Sequence, residues 1–306
     1  MTQHVLEPEF VHLHVHSEFS LSDGLLKVKE LVAAVAAQGC PAVALTDVGN
    51  LFALVKFYEN SLSNGIKPIL GVEIKVVEGD PKDCPGERVV LLAMDERGYA
   101  IMIKLVSDSY TAVELRGVVP EEMVFAHNEG LIALSGGVFG HLWHLAGSSD
   151  GDGLLRRAQR WQQYFGDRYY LELTRTGRAG EEDVLHRLVD VAQQLGLGVV
   201  ASNDVCFATA DDFEAHETRV CIHEGRTLDD PRRERKYSEQ QFLRSAAQMQ
   251  ELFADLPQAL QNTVEIAKRC NVPVNLGTYY LPDYPIPESE TPESFLRLTA
   301  REGLEN

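Results

Sequence analysis

Long apolar runs are missing from this chain: no stretch approaches the ~18 residues a membrane-crossing helix needs. The amino terminus, MTQHVLEPEF, lacks the basic-then-apolar layout of a secretory signal. Cysteine is sparse and unpatterned. Cys40, Cys84, Cys206, Cys221 and Cys270 are odd in number and form no CxxC pair, which excludes a zinc ribbon and reads as reduced thiols in a cytoplasmic protein. Positive charge is also scarce. Lys and Arg total 28 against 46 Asp and Glu, for a net charge of −18, so these residues are not expected to grip duplex DNA by themselves. The one basic cluster, Arg232, Arg233, Arg235 and Lys236, is flanked by Asp229 and Asp230 and interrupted by Glu234; it reads as a solvated loop. There is no GxGxxG turn, internal repeat or low-complexity tract.

What is present is a core-forming α/β pattern. With 306 residues, 44% of them hydrophobic, the chain can bury a full core. Short apolar runs predict strands at Phe10–Leu13, Ala42–Leu45, Ile69–Glu73, Val89–Ala93, Leu131–Ser135, Tyr169–Leu173 and Val199–Ser202. Helical stripes lie between them, one on Val28, Leu31, Val32 and Val35 with Asp23 as its cap, another on Val184, Leu185, Leu188, Ala192 and Leu195. Alternation of this kind favours an irregular closed barrel over an open doubly wound sheet. After about residue 208 the pattern turns mostly helical, with a capping box at Ser245 and Gln248 and a helix start at Pro257. LPDYPIPESETPESF, from Leu281, reads as an extended connector. A new helix over Glu293–Glu302 then begins as the chain stops, as at a boundary inside a longer protein.

Chemistry-bearing residues gather at the predicted strand ends. His12 and His14, two apart, are expected on one face of the first strand. Asp23 follows in the next loop, Asp47 ends the second strand, Glu73 the third, and Asp204 follows the seventh. Imidazoles and carboxylates converging from several strand ends are what a multi-metal hydrolytic site uses to hold ions and activate water. Singly, each residue is more often a cap or a salt-bridge partner; the combination and order carry the signal. His141 and His144, three apart on an expected helix, and His216 and His223 are weaker candidates. Ser135 in LSGG is not in a nucleophile elbow.

HLHVHSEFSLSDG, ALTDVGNL, GIKPILGVEI and ASNDVCF resemble the successive motifs of the PHP (polymerase and histidinol phosphatase) family. FVHLHVHSEFSLSDG, LVKFYENSLSNGIKPILGVE, DDFEAHETRVCIHEGRTLDDPRR and LFADLPQALQNTVEIAKRCNVPVNLG are similar, more narrowly, to the amino-terminal region of bacterial DNA polymerase III alpha subunits. The resemblance implies a distorted (β/α)7 barrel over about 8–208 and a mostly helical extension over about 209–280, together a PHP domain at 1–280. Residues 281–306 would then be a connector toward an absent polymerase module.

Active members of that family bind up to about three divalent ions, and this sequence departs from their pattern. Val48 stands where the TDHGN motif has a histidine, and valine has no lone pair to give. Arg88 stands at the place of another ligand histidine. A guanidinium ~4 Å from an ion costs roughly 4 kcal/mol per unit charge at an effective dielectric near 20, and about double for a divalent ion. Gly137 occupies a place often held by cysteine, and Cys206 that of a histidine; cysteine can bind zinc. The surviving set is His12, His14, Asp23, Glu73 and Asp204, with Asp47 assigned to structure as readily as to coordination.

The resemblance therefore implies a catalytically inactive domain of a DNA-directed DNA polymerase, with no cofactor or only partial zinc, manganese or magnesium. Magnesium would serve the polymerase module. Arg88 is expected to pair with Glu73, Asp23 or Asp204. The implied partners are a proofreading exonuclease subunit and the rest of the polymerase chain, with DNA reached through the parent. The alternatives are a phosphoesterase or 3′–5′ exonuclease with a reduced metal cluster, and a structural module without its own partner.

Overall fold

A computed structural model describes residues 9–79, 86–279 and 284–305; Cys84 and Leu281–Asp283 of the expected connector lie outside them. The chain divides into two compact units, Met1–Pro273 and Val274–Asn306.

Strands form where short apolar runs are buried on both faces: β1 (Ala42–Leu45), β3 (Glu87–Ala93), β5 (Leu131–Leu134), β6 (Tyr169–Thr174) and β7 (Gly198–Ser202), with the longer β2 (Lys67–Val77) among them. A three-residue β4 (Val118–Pro120) pairs with the far half of β2 and was not legible in the sequence. The order β1-β2-β3-β5-β6-β7 makes a curled, incompletely closed half-barrel. β1–β2, β5–β6 and β6–β7 are parallel. β3 runs antiparallel to both neighbours, β2 and β5.

The expected first strand, Phe10–Leu13, is a correction. Its residues are buried but form no ladder. Residues 12–16 instead run between the sheet's two ends. Ala44 N donates to His12 O (2.9 Å), Thr46 N to Val15 O (2.9 Å), and Val205 N to His14 O (3.2 Å). An isolated parallel bridge joins Val15 to Val205.

Helices cover the outside. α1 (Val28–Ala37) buries Val28, Leu31, Val32 and Val35 as the stripe predicts, but its N-cap is Lys27, not Asp23. α2 (Leu54–Ser63), α3 (Glu96–Thr111) and α4 (Glu121–Ala126) follow, then α5 (Trp143–Gly147), α6 (Gly151–Phe165) and α7 (Glu181–Leu195). The extension comprises α8 (Phe213–Glu224), α9 (Ala246–Leu252), which carries the Ser245/Gln248 capping box, and α10 (Pro257–Arg269), which begins at its proline.

α10 closes the barrel's lower end, where the parallel strands begin. Lys67 Nζ donates to Ala267 O (2.7 Å), and Asn262 Nδ2 to Val199 O (2.8 Å). Val264, Ile266 and Ala267 join Val11, Leu13, Ile69, Val90, Leu92, Ile132, Leu134 and Val200 in one core. The apolar filling occupies that end and leaves the carboxyl ends of the parallel strands to polar side chains.

In the second unit, α11 (Pro292–Glu305) starts at a Thr291–Ser294 turn, Ser294 N donating to Thr291 Oγ1 (3.2 Å). No helix among the described residues is long and apolar enough to cross a membrane.

Candidate metal centre

The polar end of the barrel collects residues from four chain segments. His14, His16, Glu73, Glu172 and Asp204 are all buried there. His14 Nδ1 hydrogen-bonds Glu172 Oε1 (2.7 Å), and its Nε2 lies 3.4 Å from Glu73 Oε1 and 3.7 Å from Asp204 Oδ1. His16 Nε2 pairs with Asp204 Oδ1 (3.0 Å) and lies 3.9 Å from Glu73 Oε2. Asp204 has φ +44°, in the left-handed region that Asp tolerates better than most residues, and this turns the chain at the end of β7.

The charges set one another. Burial works to lower the His14 pKa, but the Glu172 and Asp204 carboxylates override it and hold the pKa well above the usual value. Burial works to raise that of Asp204, and His14 and His16 outweigh it, keeping the carboxyl far below the usual range.

Arg88, at the start of β3, enters the same end. Its Nη1 donates to Glu73 Oε2 (2.9 Å) and its Nη2 to Asp23 Oδ1 (2.6 Å), while its guanidinium lies 4.5 Å from the Phe139 ring centre. Tyr237 adds a short hydrogen bond from its hydroxyl to Asp23 Oδ1. Against burial, Arg88 holds the pKa values of Glu73 and Asp23 below the usual carboxylate range.

The placement of the sequence-derived residues is uneven. His14, Asp23, Glu73 and Asp204 come together. His12 does not join their charge network: its Nε2 bonds the Arg244 carbonyl (2.8 Å), and burial lowers its pKa to about 4. The expected pairing of His12 with His14 fails, because the His12 ring is held by the Arg244 carbonyl, and the facing pair is His14–His16. Asp47 accepts from Ser17 N, Ser17 Oγ and Ser20 Oγ at 2.6–2.7 Å, so its carboxylate is taken up by the loop it braces. That loop passes so close to itself that a Cβ at Gly24 would stand 2.2 Å from Ser17 O.

Val48 is bridged to Glu73 through the backbone. Gly137 sits with φ +56° beside Glu172. The Cys206 thiol donates to Asp204 O (3.3 Å), and burial pushes its pKa well up.

His16, Glu172, Tyr237 and Gln241, whose Nε2 donates to Asp204 Oδ2 (2.8 Å), escaped the sequence reading. Glu172 had a signal, a lone acid in the apolar strand YYLELT. His141 and His144 share no helix: His141 is buried against Tyr169 Oη (2.8 Å), while His144 is exposed. His216, on α8, reaches the site's edge by bonding Asp23 O (3.1 Å).

His14, His16 and Glu73 offer ligand atoms within 4.8 Å of one another. Zinc bonds of about 2.0–2.1 Å at tetrahedral angles place ligands about 3.3–3.5 Å apart. The His14 Nε2 to Glu73 Oε1 separation of 3.4 Å falls in that range, the His16 Nε2 to Glu73 Oε2 separation of 3.9 Å lies beyond it, and His14 Nε2 and Glu73 Oε1 are buried without hydrogen-bond partners. The residues therefore fit one ion. They do not fit a cluster of several: Val48, Arg88 and Gly137 donate no ligand, and the guanidinium already holds Glu73 and Asp23.

The family described as "PHP domain" matches residues 12–176. DNA polymerase III subunit alpha of Pseudomonas aeruginosa is 49% identical over 301 residues, covering 97% of this chain and 25% of that protein. The protein of that name from Escherichia coli K12 is 47% identical over 313 residues, covering 98% and 26%. This chain thus spans about a quarter of the length of the curated relatives it matches. A solved amidohydrolase from Chromobacterium violaceum is 17% identical with a TM-score of 0.45, covering 68% of this chain and 96% of that one.

Proposed function

The chain belongs to the PHP domain family, and from that membership we propose that it serves as a non-catalytic domain of a replicative DNA polymerase III alpha chain. The carrying observation is the Arg88 guanidinium bonded to both Glu73 and Asp23. It supplies the pocket's positive charge from within the protein, where hydrolysis would need several ions.

In this reading the domain supports the polymerase module and docks a proofreading exonuclease subunit in the bacterial cytoplasm. Nucleotidyl transfer, its magnesium and the hold on DNA belong to the parent chain. The support is the similarity to alpha subunits over nearly the whole of this chain, together with the acidic net charge, which suits a protein-contacting role better than a DNA-gripping one.

A second reading has one observation in its favour. The His14, His16 and Glu73 cluster fits a single ion, as in a reduced metal-dependent phosphoesterase or 3′–5′ exonuclease. Metal analysis of protein purified without chelator, with hydrolysis assays on DNA ends and phosphate esters, separates the two. Stoichiometric manganese or zinc with activity abolished by His14→Ala overturns the non-catalytic reading. Capture of the cognate exonuclease subunit at micromolar concentration supports docking; no capture leaves a structural module without that partner.

A further inference from the structure

Three arginines stand in the RRAQR stretch of α6, where Arg156 and Arg157 each lie one helical turn from Arg160 and border it. With Glu78, just past β2, Glu87 of β3 and His141, they line a cavity of about 540 Å³, the size of a small-molecule site. Glu87 precedes Arg88 in β3, so this cavity lies on the side of the strand away from the candidate metal centre.

The arginines are held unequally. Arg157 is fixed from behind: its Nη2 meets Glu121 Oε1 (2.7 Å) and Glu87 Oε2 (3.1 Å). Glu121 is itself buried and accepts from Trp161 Nε1 (2.9 Å). Arg160 Nη2 donates to Glu122 Oε1 (2.6 Å). The remaining Nη1 of each guanidinium converges on one carboxylate, that of Glu78, Arg157 on Oε2 and Arg160 on Oε1. Glu78 is half-exposed and has no other partner among the described residues. An ion pair with such a side chain contributes little, so Glu78 can leave without loosening donors that other carboxylates hold in place.

Two further features point to a ligand. Arg156 is exposed and has no partner among the described residues. Arg157 Nε and His141 Nδ1 are buried without hydrogen-bond partners. Two guanidinium groups converging on one movable carboxylate form a seat for an oxyanion. Charge selects which one. Replacing Glu78 uses one negative charge and Arg156 calls for a second, so the seat matches a dianion carried on a single group. The unpaired inner atoms suit hydroxyls, which both donate and accept.

We propose that this cavity binds a hydroxylated phosphate monoester, its phosphate oxygens taking the place of the Glu78 carboxylate on Arg157 and Arg160 and its second charge meeting Arg156. No residue of the metal centre takes part, so the proposal is independent of whether that centre holds an ion.

Glycerol phosphate is the probe, in mildly alkaline buffer, where a phosphate monoester with its second pKa of about 6 is a dianion. Titration calorimetry in the presence of a chelator keeps the metal centre out of the measurement. The unsubstituted chain is expected to bind one equivalent with millimolar affinity. Glu78→Ala, which removes the internal carboxylate, is expected to tighten binding about tenfold, and Arg156→Ala to weaken it about tenfold. Both side chains are exposed, so neither substitution threatens the fold. No binding to Glu78→Ala, an affinity that either substitution leaves unchanged, or succinate bound as tightly as glycerol phosphate overturns the proposal.

Discussion

Arg88 Nη1 meets Glu73 Oε2 at 2.9 Å along a diagonal of the antiparallel β2–β3 ladder, in which Glu73 faces Val90 and Arg88 faces Lys75. Both side chains are largely buried, and Arg88 also holds Asp23. Arg88→Ala leaves two buried carboxylates facing each other with their cation gone. Removing one partner of a buried pair costs about 3–5 kcal/mol, and that loss is the expected outcome in urea unfolding followed by circular dichroism. A change under about 1 kcal/mol would show that the pair contributes little to the fold.

Acid should weaken the protein through His12 as well as through its carboxylates. The folded pKa of His12, about 4, lies below its unfolded value of 6.5. A histidine with a depressed pKa contributes stability that is fully present above the unfolded value and lost as pH falls from 6.5 toward 4. At 1.36 kcal/mol per unit, the contribution is about 3 kcal/mol. Glu73 and Asp23, also depressed, add loss at lower pH, from about 4 downward. In urea midpoints taken across this range, His12→Gln should flatten the slope between pH 6.5 and 4 and spare the steeper fall below it.

Arg175 fastens the helical extension to the barrel. It bonds Glu182 and Asp255, donates to the Leu252 carbonyl (2.7 Å), and lies 5.1 Å from the Phe253 ring centre. Its acidic partners are exposed, so the ion pairs themselves contribute little. The carbonyl bond and the ring contact matter more. Arg175→Ala should cost about 1–2 kcal/mol and raise hydrogen exchange across residues 246–255 before it affects β6. Uniform acceleration throughout the barrel would contradict a local fastening role.

Cys206 should be chemically silent in the native protein. Its thiol is buried and its pKa pushed up, so little thiolate is present at pH 8. Iodoacetamide, read by peptide mass spectrometry, is expected to leave it unmodified until urea unfolds the chain. Rapid native labelling would mean that the segment bonded over it, residues 237–244, opens readily.

Sequence reading succeeded where burial alone decides structure. β1 and β5 are apolar runs buried at every residue, and α1 and α7 carry stripes that meet the core. Burial does not report pairing, however. Phe10 to Leu13 are as buried as a strand yet find no ladder, and alternation could not tell His12 from His16 as the partner of His14, since all three would share one face. Three residues of β4 are too few to show a period. The Arg88 pairing with Glu73 and Asp23 was legible because a permanent cation at a ligand position must find carboxylates. Tyr237 and Gln241 were not, since nothing local to KYSEQQF says that a site formed by residues 14–204 lies beneath it.

The pairing of β3 with β2 makes strand register an electrical setting. Adjacent strand residues point to opposite faces: Arg88 turns toward Glu73, and Glu87 toward Arg157 on the other side. A slide of β3 by one place that brought Glu87 to the position of Arg88 would set an acid where the guanidinium stands, in a pocket already lined with carboxylates. The register of this one strand pair therefore fixes the sign of the charge at the pocket's mouth.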